Sequence, residues 1–271
     1  LGIYKRFGRA GTEDHAGRRH KENDLKDLTI LFITGNKVPE SWAEYHREVL
    51  LEAVGDTPII TLSKKPTPIG LNVVQEEGEF SYISNPDFPD PHLVDNTGVY
   101  SGFYAQLFKG AKLAITPYIA IVEDDTLYHS SHFEFRPPMD AFAYNLARWS
   151  LYTWGPPVYS YIGSRMGCAG IYPRELAVET LEERFTKFRG RIPFEYFGEL
   201  GCYEKYMGLK RHTTVTYYSE MPIIQFNHDY FSTIPNTPEL VARRHRKRMG
   251  FLRALSVPFW GASSELVKEF K

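Results

Sequence analysis

A chain of 271 residues is long enough to bury a substantial core, and one large α/β domain is expected rather than two small ones. A formal net charge of −1 argues against a uniformly basic nucleic-acid binder. Two widely separated cysteines, Cys168 and Cys202, give neither a disulfide framework nor a zinc-finger spacing. The residues given hold no apolar signal core and no run of membrane-span length, so a soluble, cytoplasmic protein is expected.

Residues 1–27 are dense in Arg, Lys, His, Gly and acids, which predicts a flexible basic tail ahead of a globular unit over 28–236. Leu28 to Thr34 is nearly all apolar or β-branched and reads as the first core strand. A turn at Gly35-Asn36-Lys37 follows. Pro39 then opens a helix on which Trp42, Tyr45, Val49 and Ala53 recur, with Gly55 as its stop. Pro58 to Ser63 is a second strand, and strand–helix–strand order implies a parallel sheet.

In such a unit the turn after the first strand lies beside the point where nucleotides bind. Thr34, Gly35 and Asn36 are therefore candidate nucleotide contacts, with a plain tight turn as the alternative. Lys65 leaves the second strand at the same sheet edge and could meet a phosphate or remain solvated. Residues 67–96 are rich in Pro, Asp and Asn and are expected to be mostly loop. Gly98 to Ala114 predicts a helix that packs Phe103 and Leu107 inward.

The most informative stretch comes next. Ile119, Ala120, Ile121 and Val122 form an apolar run without polar alternation, as in a strand covered on both faces, and Glu123, Asp124 and Asp125 follow at once. Acids at the carboxyl end of such a strand face a ligand more often than they support the fold. Three adjacent carboxylates repel one another unless something positive sits among them, and hard divalent cations prefer oxygen ligands. A Mg²⁺ or Mn²⁺ site is the expected resolution.

This arrangement resembles the metal-binding acidic motif of nucleotide-sugar glycosyltransferases of the GT-A fold. Further matches are Ile33 to Lys37, the Gly70-Leu71-Asn72 turn, Gln106 and Lys109 to Lys112, and Glu123 to Tyr128 with Phe133, Phe135 and Pro137. Together these resemble a family of predicted GT-A transferases from bacteriophage and environmental genomes, over roughly residues 28 to 230. The resemblance implies a GT-A-like, Rossmann-type, mostly parallel sheet flanked by helices, in a single domain with additions on the acceptor side. It implies Glu123 and Asp124 at the donor, Asp125 on the metal and a UDP-sugar as donor.

The same resemblance extends along the chain. Met166 to Arg174 is similar to the small-residue strand lining the donor sugar, which places Gly167, Ala169 and Gly170 there. Pro193 to Gly208 looks like the segment that carries the catalytic acid; Glu199 is the first candidate for a general base and Glu195 the second. His228, after an apolar strand, is the further metal candidate. Residues from Phe142 to Tyr161 are strongly aromatic. Most of these rings are expected in a core, while Trp154, before Gly155-Pro156-Pro157, is the candidate for stacking on an acceptor sugar.

Residues 237–271 are expected to form a basic helix and tail packed on the main domain. Thr237 caps it, and Arg243, Arg244, Arg246, Lys247 and Arg248 spread over half its circumference. Such a run is usually a solvated face. Here Arg243, Arg244 and Lys247 are also candidates for binding a phosphate-bearing acceptor, such as phage DNA carrying a hydroxymethylated pyrimidine.

The expected activity is metal-dependent transfer of a sugar to an acceptor hydroxyl in DNA, a glycan or a lipid-linked sugar, with inversion favoured. A nucleotidyltransferase and a non-catalytic DNA-binding protein are the rivals. No membrane and no obligate protein partner are called for.

Overall fold

The computed structural model describes residues 25–74, 91–161, 163–188, 198–228 and 252–270. In chain order, β1 (Leu28–Thr34), α1 (Glu40–Val54), β2 (Ile59–Ser63) and β3 (Leu71–Val74) precede α2 (Pro91–Leu113), β4 (Tyr118–Glu123) and β5 (Thr126–Leu127). Then come β6 (Ala141–Asn145), β7 (Arg148–Tyr152), β8 (Tyr159–Tyr161), β9 (Gly170–Pro173), α3 (Arg174–Phe188), α4 (Glu204–Met207), β10 (Thr213–Tyr217) and β11 (Ile223–Asn227). Three short strands follow, β12 (Leu252–Ala254), β13 (Ser256–Val257) and β14 (Gly261–Ala262).

The fold is α/β, as expected. Its main sheet runs β10-β6-β9-β4-β1-β2-β3, and β9 alone opposes the other six strands. The apolar runs of β1 and β4 sit side by side at its centre and are buried on both faces. Leu31, Ile33, Ile119 and Ile121 pack towards Leu107 and Ala111 of α2 and Leu176 and Leu181 of α3. Leu28, Ile30, Phe32, Ala120 and Val122 pack on the opposite side with Leu50 and Val54 of α1. The period-2 alternation of a strand thus feeds two cores.

A second sheet, ordered β12-β8-β7-β11-β5, stands beside the first. Its apolar face joins Leu127, Leu151, Tyr159, Ile224 and Phe226 to Trp42, Val257, Leu266 and Phe270 in a third core. Much of the aromatic segment is therefore core: Phe142, Tyr144 and Tyr159 are fully buried.

The boundaries differ from expectation in three places. Helix α2 begins at Pro91, not Gly98, with proline in a position that suits a first helical turn. The expected loop over 67–96 contains β3, which leaves a turn at Gly70 (φ 65°) and pairs Leu71 with Ile60. Gly167–Ala169 is a 3₁₀ turn ahead of β9, so only the end of the small-residue segment is strand. The expected basic helix over 237–250 lies outside the described residues, as do residues 1–24. Among the described residues no helix is long and apolar enough to cross a membrane.

Candidate active site

The parallel register pairs Ile33 with Glu123, so the turn after β1 and the acids after β4 leave the sheet together. The Thr34 hydroxyl donates to the Asp124 carboxylate and accepts the Asn36 backbone N–H at 2.9 Å. Asn36 adopts φ 51°, a left-handed conformation that Asn tolerates better than most residues, and its side-chain oxygen accepts the N–H groups of Lys64 and Lys65, both at 2.9 Å. Asn36 therefore ties the end of β1 to the end of β2. Gly35 and the Lys65 side chain are exposed at this edge.

Each acid is fixed through its backbone or side chain by a different element. The Trp42 indole of α1 donates to the Asp124 carbonyl at 2.7 Å. The Tyr128 hydroxyl accepts the Glu123 N–H at 3.2 Å and donates to the Cys168 carbonyl at 2.9 Å. Thr126 Oγ1 donates to Asp125 Oδ1 at 2.8 Å, and the Phe226 N–H donates to the Asp125 carbonyl at 2.7 Å. That last bond links the acid turn to β11, and His228 follows one residue beyond β11 with Nε2 3.9 Å from Asp125 Oδ2.

Burial and mutual repulsion dominate the electrostatics. Burial first, then the charges of Asp125 and Asp124, hold the Glu123 carboxyl well above the usual range. Burial and the Asp124 charge likewise raise Asp125. Asp124 is pushed up to about 6 by burial, against the opposing pull of the Thr34 hydrogen bond and Lys37. His228 is lowered to about 4 by burial and by Lys37, which keeps its imidazole neutral, the form that ligates metals.

These residues meet the requirements of a hard divalent cation in part. Among the described residues no three His, Cys, Asp or Glu side chains converge into a metal-holding group. Asp125 and His228 supply one carboxylate oxygen and one neutral imidazole, in a cluster whose surplus negative charge favours a cation. Mg²⁺ bound through one or two carboxylates completes its shell with water and substrate phosphates; the Asp125 oxygen fits that type, while the His228 nitrogen departs from its all-oxygen preference.

Glu199 shares the same electrostatic neighbourhood: its charge acts on Glu123, and burial raises its own carboxyl. Gly167 also lies at the acids, because a Cβ there would come 3.7 Å from Glu123 Oε1 and 3.2 Å from the Phe103 ring. Ala169 is fully buried in the core under β4, and Gly170 is a buried residue of β9, so of the three small residues Gly167 is the one beside Glu123. Trp154 lies in the bend after β7, half-buried, with its ring edge-on to Tyr152 at 5.5 Å. Glu195, Arg243, Arg244 and Lys247 lie outside the described residues.

Sequence reasoning passed over two cations. Arg148, 3% exposed, donates to Gln225 Oε1 at 2.6 Å and Ser164 Oγ at 3.0 Å, and its charge lowers Glu123, Asp125 and Glu199. Its signal was the alternation Arg148-Trp149-Ser150-Leu151, polar on one strand face and apolar on the other. Lys37 carried no signal beyond its place in the turn.

Comparison with protein-family models and with curated proteins gives no match. Among solved structures, one described as a "crystal structure of a glycosyltransferase involved in the glycosylation of the major capsid of PBCV-1" matches with a TM-score of 0.38 and 11% identity. The match covers 73% of this chain and 93% of that chain.

Proposed function

We propose that this chain is a metal-dependent glycosyltransferase that moves a sugar from a nucleotide-sugar donor, a UDP-sugar, to an acceptor hydroxyl. One observation carries the reading: a carboxylate cluster at the carboxyl end of β4, with Asp125 buried and Glu123 and Asp124 half-buried, that meets the β1 turn on one side, His228 at 3.9 Å on another, and the Glu199 carboxylate within electrostatic reach. In an open α/β sheet this is where a ligand binds.

In this reading Thr34, Gly35 and Asn36 meet the nucleoside. Asp125 and His228 hold Mn²⁺ or Mg²⁺, which when bound offsets the charge of the leaving diphosphate. Glu123, Asp124 and Gly167 border the donor sugar. Glu199 takes the proton of the acceptor hydroxyl as that oxygen bonds the anomeric carbon and the bond to the diphosphate breaks, which gives inversion. The acceptor is a glycan hydroxyl or a hydroxymethylated pyrimidine in DNA. Turnover that collapses between low and moderate salt favours DNA, whereas salt-insensitive turnover counts against it and leaves a glycan or lipid-linked sugar.

Thermal unfolding with a panel of nucleotide sugars, each with and without Mn²⁺, tests the donor assignment, because a ligand of the native state raises the melting temperature. The expected result is a metal-dependent rise with one nucleotide. Folded protein that responds to none of them overturns the reading.

A further inference from the structure

The segment that carries Glu199 is held on both sides by buried groups, Arg184, whose guanidinium also lies 5.2 Å over the Tyr104 ring, and Tyr144, whose ring packs edge-on to Tyr172. Arg184 of α3 is fully buried, and its Nε and Nη2 both donate to Glu204 Oε1 of α4, the first at 3.1 Å. Its remaining arm, Nη1, donates to the Gly198 carbonyl at 3.1 Å. On the other side of Glu199 the buried Tyr144 hydroxyl donates to the Leu200 carbonyl at 2.7 Å. The Glu199 carbonyl itself accepts the Cys202 N–H at 3.1 Å.

Packing closes what the hydrogen bonds leave open. A Cβ on Gly198 would lie 2.1 Å from the Tyr203 ring. Gly201 sits at φ 80°, where a Cβ would meet Thr214 Cγ2 at 2.5 Å and the Phe142 ring at 2.9 Å. Stability does not explain the buried ion pair, since an apolar pair of similar volume commonly serves a core as well or better. What an apolar pair lacks is a donor for Gly198.

We propose that Arg184, fixed by Glu204, and Tyr144 form a positioning clamp that holds the Glu199 carboxylate in its working pose. The clamp rests on the glycosyl-transfer reading for its purpose, but its existence is testable without turnover. Cys202 lies in the clamped segment and is half-buried, while Cys168 is fully buried, so thiol labelling of the native chain reports on this segment.

The variants are Tyr144→Phe, which removes one oxygen and keeps the ring, and the double variant Arg184→Met with Glu204→Leu, which leaves no buried charge unpaired. The probe is 5,5′-dithiobis(2-nitrobenzoic acid) on full-length folded protein, followed by kcat and donor KM for the nucleotide sugar that raises the melting temperature. Losing one such hydrogen bond should raise Cys202 labelling about three- to tenfold and lower kcat by a similar factor. Cys168 protection and donor KM should hold.

Unchanged Cys202 labelling in folded Tyr144→Phe overturns the clamp. Faster labelling with unchanged kcat overturns its link to Glu199. If the parent protein turns over no donor, the transferase reading fails, and labelling alone decides whether the clamp is real. If the double variant does not fold, Tyr144→Phe decides.

Discussion

At Asp125 a single side chain must satisfy two opposed demands. Without a cation it is a buried carboxylate next to Asp124 and near Glu123, raised by desolvation and repulsion; in the proposed function it is a metal ligand. Asp125→Asn keeps the shape and removes the charge. The unliganded protein should then be as stable or more stable, by about 1 kcal/mol, because one repulsive partner is gone. The metal-dependent rise in melting temperature should vanish. Persistence of that rise in thermal unfolding with Mn²⁺ would place the ion elsewhere.

His46 sets a pH dependence of opposite sign to the acids. It is buried beneath the acid turn, stacks on Phe32 at 5.4 Å and bonds the Thr126 carbonyl at 2.9 Å, and burial lowers it to about 4. The unfolded chain binds a proton there near the ordinary 6.5, so the stability from a neutral His46 is complete above that value. It is lost as pH falls towards 4, by at most about 3 kcal/mol. Asp124, raised to about 6, works the other way and weakens the native state as pH rises through that value. His46→Phe keeps the stack and deletes the titration. Its melting temperature should fall less than the parent's between pH 7 and pH 5, and equal slopes in a pH series would remove His46 from the balance.

At this scale the acid cluster was legible because an apolar run followed by carboxylates is a local pattern. Arg148 and the Trp42 indole were not, since each acts on the acids through a partner far away in the chain. Trp42 reads as a core residue in sequence, which it also is.

Among the elements, α2 shows how closely a helix can be seated on a sheet. Gly110 faces β1 and β2 so tightly that a Cβ would lie 2.7 Å from Leu62 Cδ1 and 3.2 Å from Leu31 Cδ1. Gly110→Ala would ordinarily gain helix propensity, but here the methyl must displace two buried leucines of the central strands. A net loss of about 1–3 kcal/mol is expected by chemical denaturation, and a gain would mean that the leucines yield freely. The predicted helix over this region was sound in kind, and its start was misplaced because the Pro- and Asp-rich approach reads as loop. The strands β1, β2 and β4 were legible as continuous apolar runs. In contrast, β3 has exposed and half-buried residues and takes its register from β2, a long-range pairing that no local pattern encodes.

On the scale of the whole molecule, the candidate site lies where the two sheets meet, and the second sheet contributes His228 through β11. The aromatic composition foretold a further core but not that this core would brace the site. Phe270 joins the two: it packs on Trp42 at 4.7 Å, stacks on Phe226 at 5.4 Å and stacks on the His228 ring at 5.0 Å. Leu266 is buried in the same core and serves as the control. Both Phe270→Ala and Leu266→Ala should lower stability, by about 3–5 and 2–5 kcal/mol respectively, because each leaves a cavity among large side chains. Only Phe270→Ala removes the ring stacked on the His228 imidazole, and in the proposed site loss of a group that orients a metal ligand is expected to weaken metal binding by about 10–100-fold. Mn²⁺ titration of the two folded variants at low temperature separates the effects. Equal weakening in both would mean that the third core stabilises the fold without orienting His228, and the metal assignment would then rest on Asp125 alone.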